Sequence, residues 1–138
     1  MTSSPVVHLK KGDVVLVAFP ISTPGGQIQS KRRPAVIVSN DHNNARLDDV
    51  LIVPLRSKDA KQEPDPFVVV VMMDSPEGQA AGLRLDSIVD CTFIATMPKT
   101  LIVSKIGRFP DETIEQIDEC LRRSIDSDAD GGDAPVPA

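Results

Sequence analysis

The sequence predicts a mainly β domain, a small, strongly curved antiparallel sheet or partly closed barrel of five to six or more strands, finished by one C-terminal α-helix. Three observations carry this expectation. Short apolar, β-branched runs recur between residues 14 and 103, each stopped by Gly, Pro, Asn or Asp. Only one segment, near the C-terminus, spaces its apolar residues at threes and fours as an amphipathic helix does. With 138 residues, 41% of them hydrophobic, the chain suits one domain around a single core.

The elements follow in order. After a loose N-terminus, Gly12-Asp13 leads into Val14 to Phe19, a β-branched run stopped by Pro20. Ser22 to Arg32 reads as a long polar loop around Gly25-Gly26, Ala35 to Ser39 as a second strand, and Asn40 to Asn44 as a dense turn. Val50 to Val53 is a third strand closed by Pro54-Leu55, and Pro64 and Pro66 keep the next loop non-helical. Phe67 to Met73 is a fourth strand, Pro76-Glu77-Gly78 a turn, Leu83 to Ile94 a fifth strand broken near Asp86, and Leu101 to Val103 a short sixth before Gly107. From Asp111, Ile114, Ile117, Leu121 and Ile125 form one helical stripe, with acids at its start and Arg122-Arg123 at its end, as the helix dipole prefers. The expected division is a folded domain over 1–125 and an acidic, disordered tail over 126–138, whose Asp, Gly, Ala and Pro cannot repay ordering entropy.

Composition narrows the function. Four Phe with no Trp or Tyr are scant material for stacked aromatic platforms, so any nucleic-acid contact is expected to rest on Arg, Lys and backbone donors. The net charge is −5, yet four acids, Asp126, Asp128, Asp130 and Asp133, sit in the last thirteen residues. Residues 1 to 61 hold nine bases against five acids, a balance that permits a polyanion partner. No apolar run approaches the ~20 residues of a membrane span, and the N-terminus lacks a signal-peptide core, so the expected location is cytoplasmic. Cys91 and Cys120 are expected to stay reduced, Cys91 in the core, and without Cys or His at ligand spacing no metal site and no cofactor is expected. His8 and His42 carry no motif and read as surface residues.

The most informative stretch is Lys31-Arg32-Arg33-Pro34-Ala35-Val36-Ile37-Val38-Ser39-Asn40, where three adjacent cations run into an apolar strand. Pro34 biases Arg33 toward extended backbone and so fixes a guanidinium at the strand edge. An Arg fork matches phosphate oxygens. A solvated loop that keeps a strand edge soluble is the plainer reading of the same residues.

GDVVLVAFP, a Gly-containing loop, KRRPAVIVSND with Asn44 shortly after, VLIVPLRS, SIVDCTFIAT, and SKIGRFPDE before a helix occur here in order. Together, from about Lys10 to Ile125, they resemble the MazF/PemK toxins of bacterial toxin-antitoxin pairs. The resemblance implies an SH3-like barrel with a C-terminal helix, used as a homodimer, of the kind the CcdB-like toxins share. It implies metal-independent, sequence-selective cleavage of single-stranded RNA, chiefly messenger RNA with ribosomal or transfer RNA as further targets, and a cognate antitoxin that blocks the site. A toxin of similar fold that binds a protein target such as DNA gyrase, and a module that has lost its chemistry, are the alternatives.

Residue by residue, the family's active-site Arg before the Pro falls on Arg33. After the third strand, where members usually carry Thr, Ser or both, this chain reads Arg56-Ser57, so Ser57 is the remaining hydroxyl and the second catalytic candidate. Some members have an Asp or Glu in the strand matching SIVDCTFIAT, and a gapless alignment between Gly82 and Gly107 puts Thr92 there. Arg84 and Asp86 imitate an Arg-x-Asp pattern of some members and rank second, because using them forces a gap. No His stands in Ser22 to Arg32 for the members that use one. Lys31, Arg32, Arg56, Lys58 and Thr92 are the expected RNA-binding residues. Cleavage by attack of a 2′-OH on its own phosphate needs the phosphorane charge stabilised, which an Arg fork does, and a proton acceptor and donor. A neutral Ser57 holds a phosphate oxygen or relays a proton but is a poor base.

Overall fold

The computed structural model describes residues 8–61 and 63–127. The proposed tail lies outside the described residues from residue 128 onward. Strand β1 (Asp13–Ser22) and β2 (Ile28–Ile37) form a long hairpin, followed by helix α1 (Asp41–Arg46), β3 (Asp49–Ser57), β4 (Val68–Val71), helix α2 (Pro76–Ala80), β5 (Ser87–Asp90) and β6 (Ala95–Pro98). A 3-10 turn at Lys99–Leu101 leads into β7 (Ile102–Arg108), and α3 (Asp111–Ile125) closes the fold. All pairings are antiparallel, in the order β4-β5-β3-β2-β1-β7, and β6 also pairs β3, over Asp49 to Ile52.

Several expectations need correction. The sheet has seven strands, and β4 and β7 end it without pairing to each other among the described residues, so its hydrogen bonding does not close. The polar stretch from Ser22 is mostly strand. Ile28 to Arg32 pairs with Ser22 to Ala18, and the true turn is Thr23 to Gln27, where Gln27 carbonyl accepts from Thr23 N. Cross-strand hydrogen bonds overrode a composition that looked like loop. Asn40 to Asn44 opens a helix, because the Asn40 side chain accepts from Asn43 N at 2.8 Å and caps α1. Ser75 likewise caps α2 where a turn was expected. Of the fifth strand expected over Leu83 to Ile94 only Ser87–Asp90 forms, so Asp86 precedes the strand and does not break it.

The interior also differs from a single core. Strand alternation sends Val14, Val36, Val53, Leu55 and Val89 to one face, under Phe109 and the α3 residues Ile117 and Cys120. Val15, Val17, Ala35, Ile37 and Ile52 go to the other face, with Leu9, Met97 and Ile102. Each fully buried Val or Ile contributes about 1.5–3 kcal/mol, so both faces hold β1, β2 and β3 in register. Buried Asp13 anchors the end of the sheet, facing Lys105 Nζ at 3.0 Å and Arg108 Nη1 at 3.3 Å and accepting from Lys10 N. Arg123 ties α3 to the β3–β4 connection by donating to the Pro66 carbonyl at 2.6 Å.

Candidate functional site

The cleft originates in the backbone of β2 and β3. Their ladder runs only from Ile37↔Ile52 to Ala35↔Pro54, although both strands continue. Pro54 stands at the last pair and Pro34 is the next residue of β2, and neither has an N–H to donate. Beyond that point β3 takes up β5, with Leu55↔Val89, Arg56↔Ile88 and Ser57↔Ser87, while β2 stays with β1.

An open cleft of about 860 Å³ occupies this region. Leu16, Pro34, Leu55, Leu83 and Ile106 give it apolar surface, and Leu16 lies directly across from Pro34 in the β1–β2 register. Lys31, Arg32, Arg33, Arg56 and Arg84 also line it, five cations with no carboxylate among the lining residues, and Ser57 joins them. In a protein of net charge −5, that is a local concentration of positive potential. Since Ala35 pairs with Pro54, Arg33 and Arg56, each two residues further on, share one pleat face. Arg32 and Ser57 take the opposite pleat face.

The third wall is the segment Gly82 to Leu85, between α2 and β5. Gly82 has φ +73, and a Cβ there would run into the Ile106 carbonyl, so only glycine lets the end of α2 lie this close to β7. Gly107 serves the same approach from the other side, against Ala81.

The structure thus brings together Arg33, Ser57, Lys31, Arg32, Arg56 and the second-ranked Arg84. It leaves out Asp86, Lys58 and Thr92, which are not among the lining residues. Asp86 fixes loops: its Oδ1 accepts from Met73 N at 2.9 Å and its carbonyl accepts from Lys58 N at 2.8 Å. Lys58 Nζ donates to the Asp59 carbonyl. Thr92 follows β5 and turns back on Asp90, donating to its Oδ1 from both N, at 3.1 Å, and Oγ1, at 2.5 Å.

Asp90 is the residue sequence reasoning missed. Its Oδ2 lies 3.5 Å from Nε of the cleft-lining Arg56, while Asp90 itself does not line the cleft. Burial pushes its carboxyl up, but the Thr92 hydroxyl and amide and the Arg56 guanidinium outweigh this and hold it below the usual carboxylate value. Asp90 stands two residues past Ile88, the register partner of Arg56, which makes it a diagonal neighbour on the same face, a relation that arises only when β3 and β5 pair.

Cys91, under α3, and Cys120, on its buried face, are free and lie in the core, and burial raises both thiols. His8 and His42 are exposed. Among the described residues, no group of three or more His, Cys, Asp or Glu side chains is placed to hold a metal ion. No helix among them is long and apolar enough to cross a membrane.

Known proteins resemble this chain in sequence and in fold. The family described as PemK-like, MazF-like toxin of type II toxin-antitoxin system matches residues 10–125. The endoribonuclease MazF6 of Mycobacterium tuberculosis is 29% identical over 109 residues, 77% of this chain and 89% of that protein. MazF9 of the same species, also named an endoribonuclease, is 31% identical over 106 residues, covering 73% of this chain and 84% of its own. Among solved structures, an endoribonuclease in complex with its cognate antitoxin from a mycobacterial species has a TM-score of 0.62 at 21% identity, over 85% of this chain and 94% of that one, a likeness of fold.

Proposed function

The chain belongs to the PemK-like, MazF-like toxin family of type II toxin-antitoxin systems, and from that premise we propose that it is the toxin of such a pair, an endoribonuclease that cuts single-stranded RNA in the cleft between β2 and β3. One observation carries the reading: five cations line one cleft that no carboxylate shares, together with the hydroxyls of Ser57 and of Ser87, the latter donating to the Leu85 carbonyl. A polyanion is the complementary ligand. Binding of a protein target such as gyrase would not call for that concentration of charge.

In this reading Arg33 and Ser57 are the catalytic pair. The 2′ oxygen bonds to its own phosphorus while the bond to the next nucleotide's 5′ oxygen breaks, leaving a cyclic phosphate upstream. The proton of the 2′-OH passes to solvent, with Ser57 as the relay, and the departing 5′ oxygen takes a proton from solvent. Arg33's planar fork stabilises the extra negative charge of the phosphorane, and Ser57 holds a phosphate oxygen or relays the proton. Lys31, Arg32 and Arg84 hold flanking phosphates. No aromatic residue lines the cleft, which is consistent with phosphate contacts supplying most of the affinity.

The domain over 1–125 forms the toxin, its curved sheet corresponding to the family's SH3-like barrel, and the chain works as a homodimer in the cytoplasm, where its RNA is. A cognate antitoxin inhibits it by covering the cleft. Support comes from the family match and from the mycobacterial relative solved with its antitoxin. Incubating the purified protein with a long RNA and mapping the 5′ ends of the fragments tests the activity. Discrete cuts that disappear when Arg33 is replaced are the expected result, and intact RNA would end the proposal. Sedimentation at micromolar concentration tests the dimer, which a lone 14.9 kDa species would refute.

A further inference from the structure

We infer that Asp90 is a positioning residue for the cleft: clamped by Thr92, it holds the Arg56 guanidinium beside Arg33 as a second fork aimed at the scissile phosphate. The inference rests on the endoribonuclease reading and adds a residue that lies outside the cleft. Its starting point is the shared register. Arg33 and Arg56 lie on the same face of two strands that part after Ala35↔Pro54, so they flank one gap. A free Arg at the end of a strand would sample many rotamers, and a fork contributes to a transition state only when its direction is set beforehand.

Asp90 supplies that direction. It reaches Arg56 Nε at 3.5 Å and leaves the rest of the guanidinium available to the cleft, the Arg56 side chain being 51% exposed and that of Asp90 25%. Asp90 in turn is fixed by the two Thr92 hydrogen bonds to its other oxygen. Both oxygens are therefore engaged and the carboxylate remains ionised, an arrangement suited to an anchor and not to proton exchange. Thr92 thus acts at one remove from RNA, through Asp90, which gives it a role different from the direct contact expected of it.

The test uses the sign of the effect. If Asp90 were only an acid near a polyanion site, Asp90→Asn would add net positive charge and speed or preserve cleavage. If it aims Arg56, single-turnover cleavage at saturating RNA should fall fivefold or more. Affinity for an uncleavable, fully 2′-O-methylated oligonucleotide should meanwhile hold or tighten. Asp90→Glu should restore part of the rate. Arg56→Lys, which keeps the charge and loses the fork, should fall by a similar factor, and adding Asp90→Asn to it should change the rate no more than twofold. Thr92→Val should lower the rate at least twofold, and this variant and Arg56→Lys carry the test if Asp90→Asn does not fold. An unchanged or faster Asp90→Asn enzyme, or independent multiplication of the Arg56 and Asp90 effects, would overturn the inference while wild-type cutting left the functional reading intact. A wild-type protein that cuts no RNA would overturn both.

Discussion

Ala35 faces Pro54 in the last pair of the β2–β3 ladder, and the cleft begins one residue later. The two prolines at this point, Pro34 and Pro54, cannot donate to the ladder, so the strands diverge where the cations stand. The arrangement couples stability to function: the same break that forgoes sheet hydrogen bonds exposes Arg33, Arg56 and Ser57.

The Gly82 wall can be probed by one methyl group. Gly82→Ala would put an L side chain at φ +73 and press it on the Ile106 carbonyl. Strained backbone of this kind costs about 1–3 kcal/mol. Denaturant unfolding should show a loss of at least that size, together with weaker RNA binding as the Gly82–Leu85 wall shifts. A variant as stable as wild type would mean that the α2–β7 approach is looser than described.

Asp86 should be dispensable for chemistry. Asparagine keeps an oxygen that can accept from Met73 N, so Asp86→Asn should cut RNA within about threefold of wild type with an unchanged pH profile. Arg84→Ala, which removes a cation from the cleft, should weaken RNA binding by about 1 kcal/mol. If Asp86→Asn is inactive and loses an acidic limb of its pH profile, Asp86 is the general base and the Arg33–Ser57 assignment is wrong.

Asp90 should leave a mark on acid stability. Its folded carboxyl lies below the usual value, so as pH falls the unfolded chain takes up the proton first. Its contribution is complete above about pH 4 and is lost as pH drops through the folded value. Between pH 5 and pH 3 the wild-type Tm should therefore fall more than that of Asp90→Asn. Parallel curves would show that the Asp90 contacts with Thr92 and Arg56 are not maintained in solution.

Cleavage should not need a divalent ion, because Arg33 and Arg56 supply positive charge where the phosphorane forms. RNA fragments made in excess EDTA should carry a cyclic phosphate at the upstream end. Activity that returns only with added magnesium would contradict this.

Much of the fold was legible because apolar strand residues and turn chemistry agree locally. β1, the apolar half of β2, the core of β3 and all of α3 could be read directly. The polar half of β2 was hidden because Ile28 to Arg32 gain their extended form from pairing with β1, and α1 was hidden because Asn40 serves equally well as a cap or a turn residue. That Arg33 and Ser57 stand together in the cleft agrees with their selection from the sequence, while their catalytic role is the proposal made above. Asp90 was not legible, since its relation to Arg56 exists only once β3 and β5 pair and is diagonal across them.

Single-turnover cleavage of one defined RNA by wild type, Arg33→Ala, Arg33→Lys and Ser57→Ala measures the central claim most directly. Arg33→Ala should lose on the order of 3 kcal/mol of transition-state stabilisation, about a hundredfold in rate, with its melting temperature kept. Arg33→Lys should fail nearly as badly for want of the fork, and Ser57→Ala should lose ~1–2 kcal/mol, as for one hydrogen bond to a charged group. A fully active Arg33→Ala protein would contradict the account.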